Sequence, residues 1–468
     1  MRDTTDAFSD PGGCPNCHRL QNRVRFLEGK VARLQFLLDE AIRAGKRQAT
    51  PFSKGKVKKD PKKPGRKRGK LYGKRSSRAR PTVIDEVIEV PLPSENCPCC
   101  GGALGDEEIH EQFFTDIPPI RPRTTQFNVH CATCQDCGER LQGHHPLQTS
   151  DALGAAACQI GPNAIALAAH LNKCLGSSYG RIAQLFSAVF CFFVGRSTLA
   201  RAVTRLGEEA EPVYAKIAVL VRTSRVVYPD ETGWKIGGLK AWLWDFVSLL
   251  QRATLYAIRP SRGGDVPEEI LGADYAGILG HDGWSPYDQF QTISHQQCLA
   301  HLIRRCRELL EVATGGAVRF PRQIKALLQN AILLRDRRDR EEISPHGLAV
   351  ATGRLEGRLD RLLTWHRTDE ANERLAKHLD CHRDQLFTFL KNPEVEATNW
   401  PAEQAIRPAV VNRKLSGGNR TERGARAQAI LMSIFRTCWQ RDLDSIKLLV
   451  DLQRAIEPRH FASMALGP

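Results

Sequence analysis

Two cysteine pairs and three widely spaced carboxylates are the residues of this chain whose types and surroundings could do chemistry. The pairs are Cys97 and Cys100 in "CPCCGG", and Cys134 and Cys137 in "CQDCGE". Each is a C-x-x-C followed by glycine, which permits the tight turn that aims two thiolates at one ion. Four thiolates satisfy a tetrahedral Zn²⁺ ion, so the implied site is closed and structural; Cys99 and Cys131 are surplus and could substitute in the ligand set. The carboxylates are Asp230 in "RVVYPDETGW", Asp282 in "GHDGWSPY" and Glu403 in "TNWPAEQAIRPAVVNRKLSGG". Asp230 and Glu231 follow a β-favouring run at residues 226–228, which Pro229 is expected to end. Asp282 also follows an apolar run, and Gly283 frees the backbone beyond it. Glu403 falls in the first turn of an expected helix, with Asn399 as N-cap and Pro401 inside the first turn. Arg407 lies one turn further on the same face, followed by Arg413 and Lys414. Acidic pairs can cap turns, and carboxylates beside cations are often plain salt bridges. Three hard oxygen donors can instead hold a pair of Mg²⁺ ions about 4 Å apart, with the cations nearby holding phosphates.

Such donors need a rigid frame, and the pattern from Val226 onward supplies strands. "RVVYP", a turn at Gly237 and Gly238, "AWLWDFVSL" and "ATLYAIRP" predict a meander of three antiparallel strands. "PEEILGAD" reads as helical, "YAGILGHDGW" as a further strand and "FQTISHQQCL" as another. That order resembles the ribonuclease H-like fold, in which one acid follows the first strand and another ends the fourth, the places of Asp230 and Asp282. A third acid is then expected much later on a helix, the place of Glu403. Asp245, inside "WLWDFVS", is the rival acid on the second strand, and Glu231 reads as a neighbour of the site and not a ligand. Residues 283–402 exceed any simple connection, and their Leu- and Arg-rich pattern implies an inserted helical subdomain at about 302–395.

The rest of the chain reads as attachments. With 468 residues it is too long for one ordinary core, and its 41% hydrophobic and 26% charged residues are those of soluble globular protein. No apolar run reaches the roughly 18 residues of a membrane span, and the first residues do not form a secretory signal. Fifteen cysteines, several of them in C-x-x-C pairs, suit metal binding in a reducing cytosol better than disulfides. The formal net charge of +16 is concentrated at residues 43–80, where 17 Lys and Arg stand against Asp60 alone. This Pro-, Gly- and Ser-rich stretch, with Arg66, Lys67 and Arg68 at its centre, cannot fold by itself; it reads as a linker whose charge suits a DNA phosphate backbone. Before it, Leu20, Val24, Leu27, Val31, Leu34 and Leu38 form an a/d seam, a self-association helix or one that packs on the protein's body. Cys14 and Cys17 just precede that seam and read as free thiols. Residues 151–205 read as helical. "SSYGRIAQLFSAVF" and "VGRSTLARAVTRL" resemble a helix-turn-helix, with Ser197 or Gly195 opening the second helix and Arg196, Ser197, Thr198 and Arg201 available to a groove.

"PDETGW", "GILGHDGWSPY", "CLAHLIRR" and "AEQAIRPAVVNRK", in this order, resemble the insertion sequence 66 family of DDE transposases. So do the leucine helix, the "PFSKGK…PKKPGRKRGK" tether and the "CPCCGG" finger, and the resemblance runs over roughly residues 20 to 450. It implies a multi-domain α+β chain with a ribonuclease H-like catalytic domain and the triad Asp230, Asp282 and Glu403. Asp230 would bridge two Mg²⁺ (or Mn²⁺) ions, Asp282 would hold one and Glu403 the other. The implied reaction is strand cleavage by activated water, then joining through the freed 3′-hydroxyl. The N-terminal parts would bind the element's ends. Cys298 and His301 in "CLAH" look like the family's C-x-x-H signature, but two ligands do not make a zinc site and the pair reads as packing. Gln404 stands where the family usually has Arg, Leu299 replaces a common Trp, and "TNWPAE" differs from the usual "DNNAAE". The implied layout is a leucine-zipper-like helix at 1–45, a basic tether at 46–82, a zinc finger at 83–148, a helix-turn-helix-like region at 149–222, a catalytic domain at 223–455 and a tail at 456–468. Expected partners are DNA (the element's ends and its target), further copies of the chain and accessory proteins of the element, with no membrane; the expected location is the bacterial cytoplasm, at the nucleoid. The rival readings are a catalytically inactive zinc-finger DNA-binding protein and a nuclease that cuts without joining.

Overall fold

The computed structural model describes residues 15–45, 78–290, 293–455, 459, 461 and 465–467, with the backbone alone for 15–18, 21, 39–45 and 155. Arg66, Lys67, Arg68 and the rest of the tether to residue 77 lie outside the described residues, as do Cys14 and the side chain of Cys17. Helix α1 (Pro15–Gly45) carries the leucine seam, and Leu20, Val24, Leu27, Val31, Leu34 and Leu38 are all exposed along it.

The cysteine segment is mostly irregular. The glycine after each pair adopts the left-handed conformation the sequence demands, at φ 71° for Gly101 and 75° for Gly138. Each turn closes with the same two bonds. Gly101 N–H donates to Cys97 O (2.8 Å) and Cys97 N–H to Gly102 O (2.9 Å); Gly138 N–H donates to Cys134 O (3.0 Å) and Cys134 N–H to Glu139 O (2.8 Å). Strands β1 (Cys131–Thr133) and β2 (Arg140–Gln142) pair around the second turn. The alternation in "TTQFNVHC" predicts a strand, yet only Cys131 of that run pairs, and residues 104–130 hold no regular element. A strand pattern with no partner strand beside it has nothing to fill its hydrogen-bond ladder.

Four helices follow: α2 (Pro162–Lys173), α3 (Tyr179–Phe190), α4 (Arg196–Glu209) and α5 (Glu211–Arg222). Ser178 caps α3 through its side chain, while Gly195, not Ser197, is the N-cap of α4. The chain then builds a mixed five-stranded sheet from β3 (Val226–Ile236), β4 (Leu239–Ser248), β5 (Ala253–Arg259), β6 (Ile278–His281) and β7 (Ser294–Gln297), with α6 (Asp265–Leu271) between β5 and β6. The spatial order is β5-β4-β3-β6-β7: the first three strands are antiparallel, and β6 and β7 run parallel to β3. Gly237 and Gly238, at φ 57° and 85°, make the tight turn between β3 and β4.

Strand β3 continues through Pro229 instead of ending there. Ile278 N–H donates to Arg225 O (2.7 Å), so alternate residues 225, 227 and 229 face β6. Pairing with β6 stops at Val227 with Leu279, so the N–H that Pro229 lacks would have met no ladder partner.

Alternation along the strands divides the core in two. Val226, Tyr228, Leu243, Val247 and Tyr256 face α7 (Leu299–Val312), α8 (Arg319–Asp339), α9 (Pro345–Leu363), α10 (Glu370–Cys381), α11 (Thr388–Lys391) and α12 (Trp400–Ser416). Val227, Trp244, Phe246, Leu255 and Ala257 face α2–α6, α13 (Glu422–Gln440) and α14 (Ser445–Arg454). Helix α13 also closes the sheet's open edge: Thr254 N–H donates to Thr437 Oγ1 (3.1 Å) and Tyr256 N–H to Ser433 Oγ (2.8 Å). The Tyr214 hydroxyl of α5 donates to Tyr256 O (2.8 Å), so the edge strand is satisfied by side chains.

Candidate active site

Three elements deliver the carboxylates to one end of the sheet. Asp230 lies within β3, opposite Asp245 of β4; Asp282 directly follows β6; Glu403 sits in the first turn of α12. The position of α12 is set by Asn399. Although Asn399 is its N-cap residue, the side chain makes no cap bond and donates instead through Nδ2 to Pro229 O (2.9 Å), beside Asp230. Its backbone N–H donates to Cys298 Sγ (3.1 Å). One residue thus ties α12 both to β3 and to the start of α7.

The electrostatics mark Asp230 as the centre of an acidic cluster. Burial pushes its carboxyl up to about 7, and the charges of Glu231, Asp282 and Glu403 push the same way against one bond from Glu231 N–H. Glu231 has a different setting. Alternation turns it away from the Asp230 face; its side chain is 3% exposed, pairs with Arg262 (2.7 Å) and accepts from the Tyr287 hydroxyl (3.2 Å). Arg262 is itself held between Trp242 (4.6 Å) and Trp284 (4.3 Å). Burial raises the Glu231 carboxyl and Arg262 opposes the rise, as expected of a neighbour already committed to a cation.

Asp245 is fully buried, and neither of its carboxylate oxygens has a hydrogen-bond partner. Burial, then the charges of Asp230 and Glu231, raise it well above the ordinary carboxylate value. An acid enclosed in this way is a poor rival for Asp230 as a ligand.

Of the cations predicted around Glu403, Arg407 and Lys414 are exposed. Arg413 is half-buried and donates to Thr232 Oγ1 (2.8 Å) and Gly233 O, a strut between α12 and β3 that the sequence pattern did not reveal. Arg196, Ser197, Thr198 and Arg201 are exposed on α4. In the cysteine segment, neighbouring backbone N–H groups lower the Cys97 and Cys134 thiols, which favours the thiolates that bind metal.

Among the described residues, one set of three potential metal ligands has its donor atoms all within 4.8 Å of one another: Cys298, His301 and Glu403. Neither the four finger cysteines nor the three acids form so tight a set. For the acids this is not a misfit, because a pair of ions about 4 Å apart spaces its ligands more widely than a single ion does.

The family model described as "Transposase IS66 family" matches residues 157–427, which include every strand of the central sheet and all three acids. The chain belongs to the IS66 transposase family. It is similar to two proteins of Sinorhizobium fredii strain NGR234 that are described only as uncharacterized. One, y4hP, is 25% identical over 415 residues, covering 80% of this chain and 72% of the relative. The other, y4jD, is 24% identical over 412 residues, covering 80% and 76%. No helix among the described residues is long and apolar enough to cross a membrane.

Proposed function

We propose that this transposase-family chain cuts DNA at the ends of an insertion sequence and joins the freed ends to target DNA, through Asp230, Asp282 and Glu403. The carrying observation is the convergence of the three acids from β3, the end of β6 and α12, with Asp230 raised by its burial and then by the charges of Glu231, Asp282 and Glu403. The strand order β5-β4-β3-β6-β7 supports a ribonuclease H-like reading of the sheet.

A carboxylate raised by neighbouring acids suits divalent cations, and hard oxygen donors suit Mg²⁺ or Mn²⁺. Two such ions would supply Lewis-acid activation of the attacking hydroxyl and charge neutralisation at the leaving oxygen. The chain's own residues do the positioning. Asp230 is fixed by the pairing of β3 with β4, just beyond the residues that pair with β6, and Asn399 holds α12 so that Glu403 enters beside it. Glu231 is paired with Arg262, and Asp245 is fully buried, so neither competes for the cations. Arg407, one turn from Glu403, and Lys414, further along α12, are exposed and free to meet phosphates, while Arg413 braces the helix.

In this reading the N-terminal parts hold DNA. Arg196 and Arg201 of α4 enter a groove, residues 43–80 follow the phosphate backbone, and Cys97, Cys100, Cys134 and Cys137 would hold a structural zinc ion. The exposed seam of α1 pairs with a second copy of the chain, since an uncovered a/d row is what a coiled-coil partner buries. Accessory proteins of the element and the nucleoid complete the expected setting.

The test is Asp230→Asn, Asp282→Asn and Glu403→Gln, each assayed on DNA carrying the inverted repeats that flank the gene. Every variant is expected to lose Mg²⁺-dependent nicking and joining while still binding the repeats. Normal activity in any variant removes that residue from the site. Wild-type protein that binds the repeats but never cuts them, with accessory proteins supplied, overturns the enzyme reading.

A further inference from the structure

The first turns of α7 and α12 face each other. Leu299 N–H donates to Ala397 O (3.0 Å), and Asn399 N–H donates to Cys298 Sγ (3.1 Å), so two segments a hundred residues apart are pinned together. Cys298 is buried at the N-cap of α7, with the N–H groups of Ala300, His301 and Asn399 directed at its sulfur. Burial raises the Cys298 thiol, and these N–H groups oppose that rise without cancelling it, so a metal ion bound here would have to displace the thiol proton. His301 is one turn into α7, and its Nδ1 is enclosed with no hydrogen-bond partner. The nearest acid oxygen, Glu403 Oε1, is 3.8 Å away. That gap is too long for a hydrogen bond. It matches the span of an ion held by both atoms, since zinc lies about 2.0–2.2 Å from each nitrogen or oxygen ligand.

We propose that Cys298, His301 and Glu403 form a binding site for a Zn²⁺-class cation. The donor atoms already lie within 4.8 Å of one another. A thiolate, an imidazole and a carboxylate select zinc or cobalt over magnesium, because sulfur and imidazole nitrogen are softer donors than the oxygens Mg²⁺ requires. Three protein ligands leave a fourth position open, and the side chains of His301 and Glu403, 32% and 38% exposed, leave the site reachable from solvent. The site is distinct from the acidic triad but shares Glu403 with it. A soft cation held here draws that carboxylate toward α7 and governs how it faces Asp230. The existence of this site does not depend on the transposition reading; its consequence for cleavage does.

The experiment is Co²⁺ titration of the metal-stripped full-length protein, following thiolate-to-cobalt charge-transfer absorption and bound metal by elemental analysis. Wild type is compared with Cys298→Ser and His301→Gln. Each variant is expected to bind one equivalent fewer than wild type. Cys298→Ser also loses one thiolate's share of the absorption, while the share from the finger cysteines stays. Asp230→Asn is expected to keep this equivalent even as cleavage is lost, which separates failure of the metal site from failure of the enzyme reading. Equal cobalt content and equal absorption in wild type and both variants overturn the proposal. Should Cys298→Ser fail to fold, His301→Gln decides by itself, because its side chain is part-exposed and makes no hydrogen bond through Nδ1.

Discussion

Replacing Asp230 by Asn should stabilise the metal-free protein, and the gain should grow with pH. Asp230 rises from an ordinary 3.8 to about 7 in the fold, through burial and through Glu231, Asp282 and Glu403. An acid whose pKa is raised by folding contributes stability that is full below its unfolded value and is lost as pH climbs through its folded value. At about 1.36 kcal/mol per pH unit, the loss is about 1.6 kcal/mol by pH 5 and about 4 kcal/mol by pH 8. Asn does not titrate and keeps nearly the same shape, so the variant escapes this loss. Its advantage over wild type should therefore widen by about 2.5 kcal/mol between pH 5 and pH 8.

The assay is urea unfolding in the presence of a chelator, read by the fluorescence of Trp234, Trp242 and Trp244, which all lie on the strands around the site. The midpoint should shift at unchanged slope if the change is one of stability alone. Adding Mg²⁺ should then close the gap by stabilising wild type and not the variant, by about 2.7 kcal/mol at a hundredfold excess over the dissociation constant. Parallel loss of stability with pH in the two proteins would refute the reasoning. So would a variant less stable than wild type at pH 8, because Asp230 would then be held by partners and not strained by other acids.

Three further outcomes follow from other parts of the chain. Removing zinc, or Cys100→Ser, should loosen residues 95–140, read as faster proteolysis there, while the fluorescence of the sheet tryptophans is unchanged; metal analysis finding no zinc in purified protein removes the finger reading. Deleting residues 43–80 should weaken binding to all DNA sequences alike and flatten the salt dependence of affinity, and an unchanged salt slope would leave the segment a mere linker. Acid should destabilise the fold through His281, His295 and His378. Burial lowers all three, His378 to about 4, so their stability is full above the unfolded value near 6.5 and is lost as pH falls below it. Replacing His378 by Gln should lessen the loss of stability between pH 7 and pH 5, and an unchanged profile in that variant would contradict it.

The strands and the acids were legible because their causes are local. Alternating apolar runs, the Gly237 and Gly238 turn and an acid after each apolar run are patterns that neighbouring residues produce by themselves. What remained hidden depends on partners distant in sequence. Pro229 reads as a strand end until β6 is known to stop pairing at Val227. "TTQFNVHC" reads as a strand because its pattern says nothing about whether a neighbour exists. Ser433 and Thr437 are unremarkable in a helical run, yet they satisfy the outer edge of β5. Arg413 reads as a phosphate contact, while its guanidinium is bonded to Thr232 and Gly233. Cys298 and His301 fall short as a pair, and their third donor lies on a helix that only the fold brings beside them.

That last case explains how a long helical insertion coexists with a site needing close tolerance. The chain leaves the sheet at Cys298, passes through α7 to α11, and returns at Ala397 and Asn399, bonded to the point of departure. The position of Glu403 is therefore set by the two bonds at this neck and by Asn399 on Pro229, not by the length or shape of the insertion. Long excursions add little closure cost, since that cost grows only logarithmically with loop length. The insertion is thus free to carry its own surface without moving the acid. The neck is not free: Cys298 and Asn399 each make a contact that fixes where α12 begins, and a change at either would displace Glu403 while leaving the acid itself intact.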